Sequence, residues 1–430
     1  MLTKCTCLCI IHLVNIKESA MTGKRLYLAV PLLAAAGVVL IWSACAPASA
    51  PSSSSTKRPI KIGLVQDFVG ASSVAGTGTT RGMDAWLDNI KYEVAGRKIE
   101  AIKEDTKSDP KTALERAKKL VELDQVDMLV GESNSGAALA LKGYADQVKV
   151  PYISAAFAGV EGLTLDKPSP YVYRTTYADG QAEVVAGRYI AEKMGKKKAV
   201  TIVTDFVGGW GKGWAFKIGF EQGGGKVVQE LFAAVGETDF ASYINQINPE
   251  ADVIWAFFPD EGTIRFPKQF IEMGMNKKIA MTGYFNIVSD RETLPVLKDN
   301  AVGFISAGWY NPYCDTEENK LFQKVYQAKF NTMADMWEEP GWRGMAFITA
   351  ALKSINGDVE DKDKLLKALS TTKINAPCTA ISLDENRNVI QDIILQRVEK
   401  VGDKFQNKVI DTVKQVRQPP AGTTIHPGKK

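Results

Sequence analysis

From Pro59 onward, segments with strand-like and helix-like hydrophobic periodicity alternate along the chain. The apolar segment 60–65 predicts a first strand, and apolar residues then recur at helical spacing from Met83 to Ile90. Further strands are predicted at 98–103, 126–130, 151–154, 199–204, 226–231, 253–258 and 278–282, and further helices at 110–123, 137–148, 181–194, 213–222, 240–248 and 263–273. Strands that alternate with crossover helices favour parallel sheets covered on both faces. We therefore predict an α/β fold with two doubly wound, parallel-sheet lobes.

The composition agrees with a large soluble protein rather than a disordered or polytopic membrane chain. The 430 residues suffice for two domains, and 45% of them are hydrophobic and 24% charged. Residues 1–45 contain four lysine or arginine residues and one glutamate, so most of the net charge of +4 lies there. The remainder has no basic excess with which to neutralise phosphates, so we expect no nucleic-acid partner.

The chain has two histidines, His12 and His426, and residues 13–425 contain none. This excludes Ser-His-Asp and Cys-His catalysis and histidine-ligated zinc or iron from the folded region. A Gly-x-Ser-x-Gly nucleophile motif is also missing from the sequence. We expect no enzymatic activity, no cofactor and no metal site.

The N-terminus resembles an export signal. Residues 1–20 are expected to precede the true start, and 21–45 combine a charged start, a long apolar run and small residues. Ser-Ala-Cys at the end of this segment resembles a bacterial lipobox, which predicts lipidation of Cys45. Cleavage after Ala50 and an uncleaved anchor helix are the alternatives.

A Ser- and Pro-rich linker, 46–58, predicts a flexible tether behind the signal. Downstream of it, Cys314 and Cys378 are the remaining cysteines. In an exported protein they form either a disulfide bond or two buried free thiols, and the sequence alone does not decide between these.

Ligand sites of open α/β sheets lie at the carboxyl ends of the strands. The loops there, 66–76, 131–136 and 154–159, are rich in small residues that allow a ligand to approach the backbone. Ser135 lies at a predicted helix N-terminus, which favours a carboxylate. Its alternative role is helix capping. Two glycine-rich stretches, 76–82 and 208–213, match neither a dinucleotide motif nor a P-loop, and we interpret them as turns at the cleft.

Five segments together resemble one family. In chain order these are IKIGLVQDFVG, EDTKSDPKTALERAKKLVELDQVDMLVGESNSG, VPYISAAFAG, YVYRTTYADG and VTIVTDFVGGWGKG. They resemble the type I periplasmic binding proteins of branched-chain amino acid ABC transporters, the leucine/isoleucine/valine-binding family, from Ile60 to Val398. The resemblance implies two lobes joined by three hinge crossovers, a small ligand held in the cleft, and delivery to a membrane permease with its ATPase.

The resemblance also implies boundaries. The crossovers fall near 173–177, 303–310 and 378–384. Lobe 1 then comprises 59–175 and 309–378, and lobe 2 comprises 176–308 and 379–417. Separately from the resemblance, we expect 418–430 to be a disordered tail.

By the same resemblance, the ligand residues come from both lobes. Ser135 and the loop residues Ala156, Phe157 and Ala158 correspond to the residues that hold an α-carboxylate. In lobe 2, Trp210, Phe258 or its neighbour Phe257, and Phe285 correspond to the family's ligand-contacting positions. The alternative for Trp210 and Phe258 is ordinary lobe core.

One departure from the family concerns the ligand's ammonium group. The acid that receives it is expected after Thr282-Gly283, where this chain has Tyr284, Phe285 and Asn286. A buried ammonium without a carboxylate is costly. The departure therefore favours a carboxylate or neutral amide with an apolar or aromatic body over an α-amino acid.

We thus expect an exported, lipid-anchored, monomeric solute-binding protein of an ABC importer. A ligand-sensing receptor of the same fold, working with a separate signalling partner, is the alternative.

Overall fold

A six-stranded sheet organises the first half of the chain in the computed structural model, which describes residues 57–429. Its strands are β1 (Ile60–Gln66), β2 (Glu93–Val94), β3 (Arg97–Asp105), β4 (Met128–Gly131), β5 (Tyr152–Ser154) and β6 (Val172–Arg174), and the helices between them are α1 (Ser73–Asn89), α2 (Pro110–Lys118) and α3 (Ser135–Val148). The strand order is β2-β3-β1-β4-β5-β6, and every pairing is parallel except β2 with β3. This sheet and the helices packed on it are called lobe 1.

A second sheet follows, and with its helices it forms lobe 2. The elements in chain order are α4 (Gln181–Glu192), β7 (Lys198–Thr204), α5 (Val207–Gln222), β8 (Lys226–Ala233), α6 (Ala241–Asn245), β9 (Val253–Phe257), α7 (Gly262–Glu272), β10 (Ala280–Tyr284), α8 (Leu294–Leu297) and β11 (Ile305–Gly308). These five strands pair in parallel in the order β8-β7-β9-β10-β11.

The last part of the chain contributes to both lobes. The helices α9 (Glu317–Phe330), α10 (Glu339–Ser354) and α11 (Lys362–Thr371) lead to the strands β12 (Ile374–Asn375), β13 (Ala380–Leu383), β14 (Val389–Val401) and β15 (Lys404–Val416). The helices α10 and α11 pack on lobe 1, and β14 pairs with β11 of lobe 2. The chain therefore passes between the lobes after β6, after β11 and after α11.

Alternating side chains cover both faces of each sheet, as expected for parallel strands with crossover helices. In lobe 1, Leu64 packs with α1 and α10, whereas its neighbour Val65 packs with α2 and α3. In lobe 2, Ile202 packs with α6 and α7, whereas Val203 packs with α4 and α5. The predicted α/β class with two mainly parallel sheets is confirmed. The antiparallel strands β12 to β15 were not predicted.

The glycine-rich stretch 76–82 was wrongly interpreted as a turn, because it lies inside α1. Its glycines allow close helix contacts: a Cβ atom on Gly82 would lie 1.8 Å from the carbonyl oxygen of Glu338, and one on Gly78 would lie 2.6 Å from Cβ of Trp337. The second stretch, 208–213, likewise belongs to the first turns of α5.

Cys314 and Cys378 form a disulfide bond, with 5.6 Å between their Cα atoms. It joins the segment after β11 to the segment after α11, and so ties together two of the three passages between the lobes. Cys45, with the signal and most of the linker, lies outside the described residues. Within 57–429, no helix combines the length and apolarity needed to cross a membrane.

The C-terminal segment differs from the disordered tail that we expected, because residues 418–429 make specific contacts with both lobes. In lobe 1, Glu161 accepts hydrogen bonds from the Gly422 amide and the Thr424 hydroxyl, at 2.9 and 2.7 Å. In lobe 2, the His426 ring lies 2.7 Å from Glu230. These partners are far away in the sequence, so the composition of the segment did not reveal them.

Candidate functional site

A cavity of about 300 Å³ lies between the two lobes, at the carboxyl ends of their strands. Its volume is at the lower end of the range for small-molecule sites. Lobe 1 contributes Ala71, Ser72, Val74, Ala75, Ser133, Asn134, Ser135, Gly136, Phe157, Met336 and Trp337, the passage after β6 contributes Tyr177 and Asp179, and lobe 2 contributes Phe206, Val207, Gly208, Lys212, Phe257, Pro259, Tyr284 and Asn286.

One end of the cavity is the N-terminus of α3, which begins at Ser135. Asn134 caps this helix by accepting a hydrogen bond from the Ala137 amide at 3.0 Å. The first amides of a helix have no partner within the helix and carry its positive dipole end, so they favour an anion. The buried Ser133 hydroxyl has no hydrogen-bond partner in the structure. This end of the cavity can therefore hold a carboxylate.

Glu132 lies just before this helix and is hydrogen-bonded to its N-terminal end. Its backbone adopts φ +125°, in the region that favours glycine, and its carboxyl accepts the Asn134 amide hydrogen at 2.8 Å. Burial, together with the hydrogen bond that the protonated carboxyl donates to the neighbouring Asp67, raises its pKa well above the usual value. Asp67 in turn accepts the Ser133 amide hydrogen at 3.1 Å. The two carboxyl groups thus fix the loop that leads into α3.

Aromatic rings form much of the remaining wall. Phe157 lies 5.2 Å from Trp337 and 6.2 Å from Tyr177, measured between ring centroids. On the lobe 2 side, Phe257 and Tyr284 pack edge to face at 5.3 Å. The Tyr177 hydroxyl donates to the Phe157 carbonyl oxygen, and burial raises the pKa of Tyr177 to about 12. Such walls favour a flat apolar ligand body.

A buried lysine lies at the lobe 2 side of the cavity. The Lys212 ammonium donates hydrogen bonds to Asp179 and to Glu183, the latter at 3.2 Å. Burial lowers the pKa of Lys212, but the two carboxylates outweigh burial and hold this pKa above its usual value. Burial raises the pKa of Glu183 despite the nearby lysine. The lysine is therefore charged and already paired.

Only some of the site residues predicted from the sequence line the cavity. Ser135 and Phe157 line the cavity. Ala156 and Ala158 flank Phe157 but are fully buried in the core behind it and do not line the cavity.

Of the aromatic residues predicted from lobe 2, Phe257, the alternative to Phe258, lines the cavity, whereas Trp210, Phe258 and Phe285 do not. Phe258 packs in the opposite core layer, since neighbouring strand residues point to opposite faces, and Phe257 takes its place at the cavity. Phe285 packs against Trp309 at 4.6 Å. Trp210 is half-buried on α5, where its ring nitrogen donates to Asp205 at 2.6 Å.

Sequence reasoning missed Asp179, Lys212, Tyr177 and Trp337. The first three lay in the quoted segments YVYRTTYADG and VTIVTDFVGGWGKG. The available signal was a lysine between two glycines, Lys212, together with an aspartate, Asp179, in the other segment. Trp337 had no comparable signal, because it reaches the cavity from a loop before α10.

Within the described part of the chain, no cluster of three or more metal-ligating side chains is present.

Contacts across the cleft hold the two lobes together beside the cavity. From the loop after β10, the Ser289 hydroxyl donates to Asp335 at 2.6 Å, and Arg291 donates to Glu338 at 2.9 Å. The acceptors lie just before α10 in lobe 1. The Trp337 ring nitrogen, next to the cavity, donates to Glu292 at 3.2 Å. The cavity wall is therefore connected to the contacts that close the cleft.

A pH dependence follows from Asp290 in the same loop. Burial, reinforced by the charge of Asp335, raises the pKa of Asp290 to about 7, although Asn407 donates to its carboxyl group. The unfolded chain loses this proton near pH 4. Between pH 4 and 7 the folded state holds one more proton, so this group's stabilising contribution, complete below pH 4, is lost as the pH rises to 7.

We therefore expect that raising the pH from 5 to 8 increases the free energy of unfolding of Asp290→Asn, relative to that of the wild type, by about 2 to 3 kcal/mol. Urea denaturation at both pH values measures this difference. Asp403→Asn, at an exposed turn, is the control and should give no such change. An equal effect of Asp290→Asn at both pH values would contradict the burial argument.

Comparison with known families and relatives gives a consistent picture. The sequence profile of the family described as periplasmic binding protein matches residues 59–404. Among curated proteins, the chain is similar to "Leu/Ile/Val-binding protein homolog 6" of Brucella suis biovar 1, with 26% identity over 367 residues that cover 84% of this chain and 93% of the relative.

Two solved structures resemble the chain over the same extent. An ABC transporter substrate-binding protein from Sphaerobacter thermophilus has a TM-score of 0.80 and 32% identity, covering 84% of this chain and 99% of that one. A solute-binding protein of an ABC transporter from Rhodopseudomonas palustris BisB5, in complex with 3,4-dihydroxybenzoic acid, has a TM-score of 0.77 and 30% identity, with the same coverage.

Proposed function

Because the chain belongs to the periplasmic binding protein family, we propose that it is the substrate-binding protein of an ABC importer and captures an aromatic carboxylate between its lobes. The observation that carries this proposal is the shape and chemistry of the cavity. The N-terminus of α3 offers an anion site at one end, and aromatic side chains line the rest. A benzoate matches this arrangement, because its carboxylate can bind at the helix end while its flat apolar ring packs between the aromatic side chains.

Two further observations support this ligand class. The relative from Rhodopseudomonas palustris was solved with a dihydroxybenzoic acid. In the present chain, Asp179, a carboxylate that lines the cavity, already pairs with Lys212, and so does Glu183. An α-amino acid would bring an ammonium group into a cavity whose acids are engaged, and an unpaired buried ammonium is costly.

Closure of the lobes over the ligand completes the proposed mechanism. A ligand that contacts Ser135 in lobe 1 and Tyr284 in lobe 2 binds the closed form more tightly than the open form and therefore shifts the equilibrium towards closure. The closed form would then deliver the ligand to the permease. The lipid anchor at Cys45 and the monomeric state remain predictions.

Isothermal titration calorimetry tests the ligand class. We expect benzoate and 3,4-dihydroxybenzoate to bind about 100-fold more tightly than leucine, because only leucine brings an unpaired ammonium. Ser135→Ala should weaken benzoate binding by about tenfold, since it removes a hydrogen bond to a charged group.

The matched control is Ser354→Ala, which changes an exposed serine at the far end of α10 and should leave the affinity unchanged. Tighter binding of leucine than of benzoate by the wild type would contradict the proposed ligand class.

A further inference from the structure

The surroundings of Lys212 are those of a cation-binding site. Its ammonium lies 4.7 Å from the ring centroid of Tyr284, 4.8 Å from that of Tyr177 and 5.3 Å from that of Phe257. It also donates to Asp179 and Glu183, and the lysine is 3% exposed. Aromatic faces together with carboxylates are what proteins use to bind alkylammonium ligands.

The side chains that surround this ammonium come from segments other than the helix that carries the lysine. Tyr177 and Asp179 lie in the passage after β6, Glu183 lies in α4, and the other two rings lie at the ends of β9 and β10. Lys212 reaches them from α5. Five side chains from four segments thus form a box around one ammonium, and that box opens into the ligand cavity because Lys212, Asp179 and the three rings line it.

We propose that Lys212 is a specificity-determining residue: its ammonium permanently occupies a cation subsite of the ligand cavity and so excludes ligands that carry an ammonium of their own. This inference rests on the proposed function, which it deepens. A second ammonium in the box would meet the charge of Lys212 at short range, with both carboxylates already engaged. Specificity here comes from a repulsive element as well as from favourable contacts.

Two ligands that differ by one charged group test the exclusion in the wild type. We expect 4-methylbenzoate to bind and 4-(aminomethyl)benzoate to bind about 100-fold more weakly. In Lys212→Ala, which empties the box, this preference should reverse by about the same factor. Calorimetry measures both ratios. Similar affinities of the wild type for the two ligands would overturn the proposal.

Lys217→Ala is the matched control, because Lys217 lies on the same helix and also pairs with a carboxylate, Glu230, and an aromatic ring, that of Trp214, but does not line the cavity. It should keep the wild-type preference. Since Lys212→Ala leaves two buried carboxylates facing each other and can fail to fold, Lys212→Met combined with Glu183→Gln provides a second variant. It removes one positive and one negative charge and retains Asp179 to receive an ammonium.

Methylammonium provides a readout that does not depend on the benzoates. Thermal denaturation should show that methylammonium chloride stabilises Lys212→Ala, or the double variant, more than sodium chloride does, and that it has no such effect on the wild type. Folded variants that gain neither this stabilisation nor binding of 4-(aminomethyl)benzoate would overturn the inference and leave the benzoate proposal intact. Rescue by methylammonium without benzoate binding by the wild type would instead support the cation subsite and contradict the proposed function.

Discussion

Replacing Cys314 and Cys378 together by alanine is expected to lower the free energy of unfolding by about 4 kcal/mol. The bond closes a loop with a sequence separation of 64 residues. Without it, the unfolded chain regains the conformations that this closure removes, whereas the native contacts around both positions stay the same. Urea denaturation of the oxidised wild type and of the double variant measures the loss.

The wild type provides its own control. After reduction of the bond, the wild type should unfold at the same urea concentration as the double variant, and reduction should leave the double variant unchanged. Thiol labelling shows whether the bond is open. If reduced and oxidised wild type unfold at the same urea concentration, the bond does not constrain the unfolded chain and the expectation is wrong.

The parallel core of the fold could be predicted from the sequence because its strands are buried on both faces. The segment 60–65, for example, was predicted as a strand and forms β1 with one more residue. The long strand β15 was not predicted, because more than half of its residues are polar and only Asn407 is buried, so it shows little hydrophobic periodicity. A strand that pairs mainly through its backbone at a sheet edge leaves a weak signal in the sequence.

The position of the candidate site could be predicted, but only part of its lining. The rule that ligands bind at the carboxyl ends of strands directed attention to the loops that contain Ser135 and Phe157. In lobe 2 the register was wrong. We predicted that the helix of residues 213–222 starts at Gly213, whereas α5 starts at Val207.

The start of α5 also explains why Trp210, which the family resemblance assigned to the ligand, does not line the cavity. Trp210 and Lys212 are two residues apart, which places them about 200° apart around a helix. Once α5 includes both, only one of them can face the cavity, and that residue is Lys212. The glycines of this segment argued for a turn, since glycine is a poor helix former. These glycines are nevertheless required by close packing, because a Cβ on Gly209 would lie 2.0 Å from the Thr204 carbonyl oxygen and one on Gly211 would lie 2.7 Å from that of Thr424.

The same competition between helix propensity and close backbone packing makes Gly82→Ala a strongly destabilising substitution. In an isolated helix, alanine would be favoured over glycine by about 1 kcal/mol. In α1, however, the new Cβ would lie 1.8 Å from the carbonyl oxygen of Glu338 and 2.9 Å from the Trp342 nitrogen. Both atoms are backbone and cannot rotate away, so α1 and α10 must separate. We expect a loss of about 3 kcal/mol, measured by urea denaturation.

The matched control is Gly143→Ala, because Gly143 also lies inside a helix, α3, but a Cβ there would meet nothing within 4 Å. This substitution should stabilise the protein by about 0.5 to 1 kcal/mol, as helix propensity alone predicts. Gly82→Ala should also weaken ligand binding, since Met336 and Trp337 enter the cavity just before α10. If instead both substitutions stabilise the protein to the same extent, α1 and α10 do not pack in backbone contact, and glycine at position 82 has no steric role.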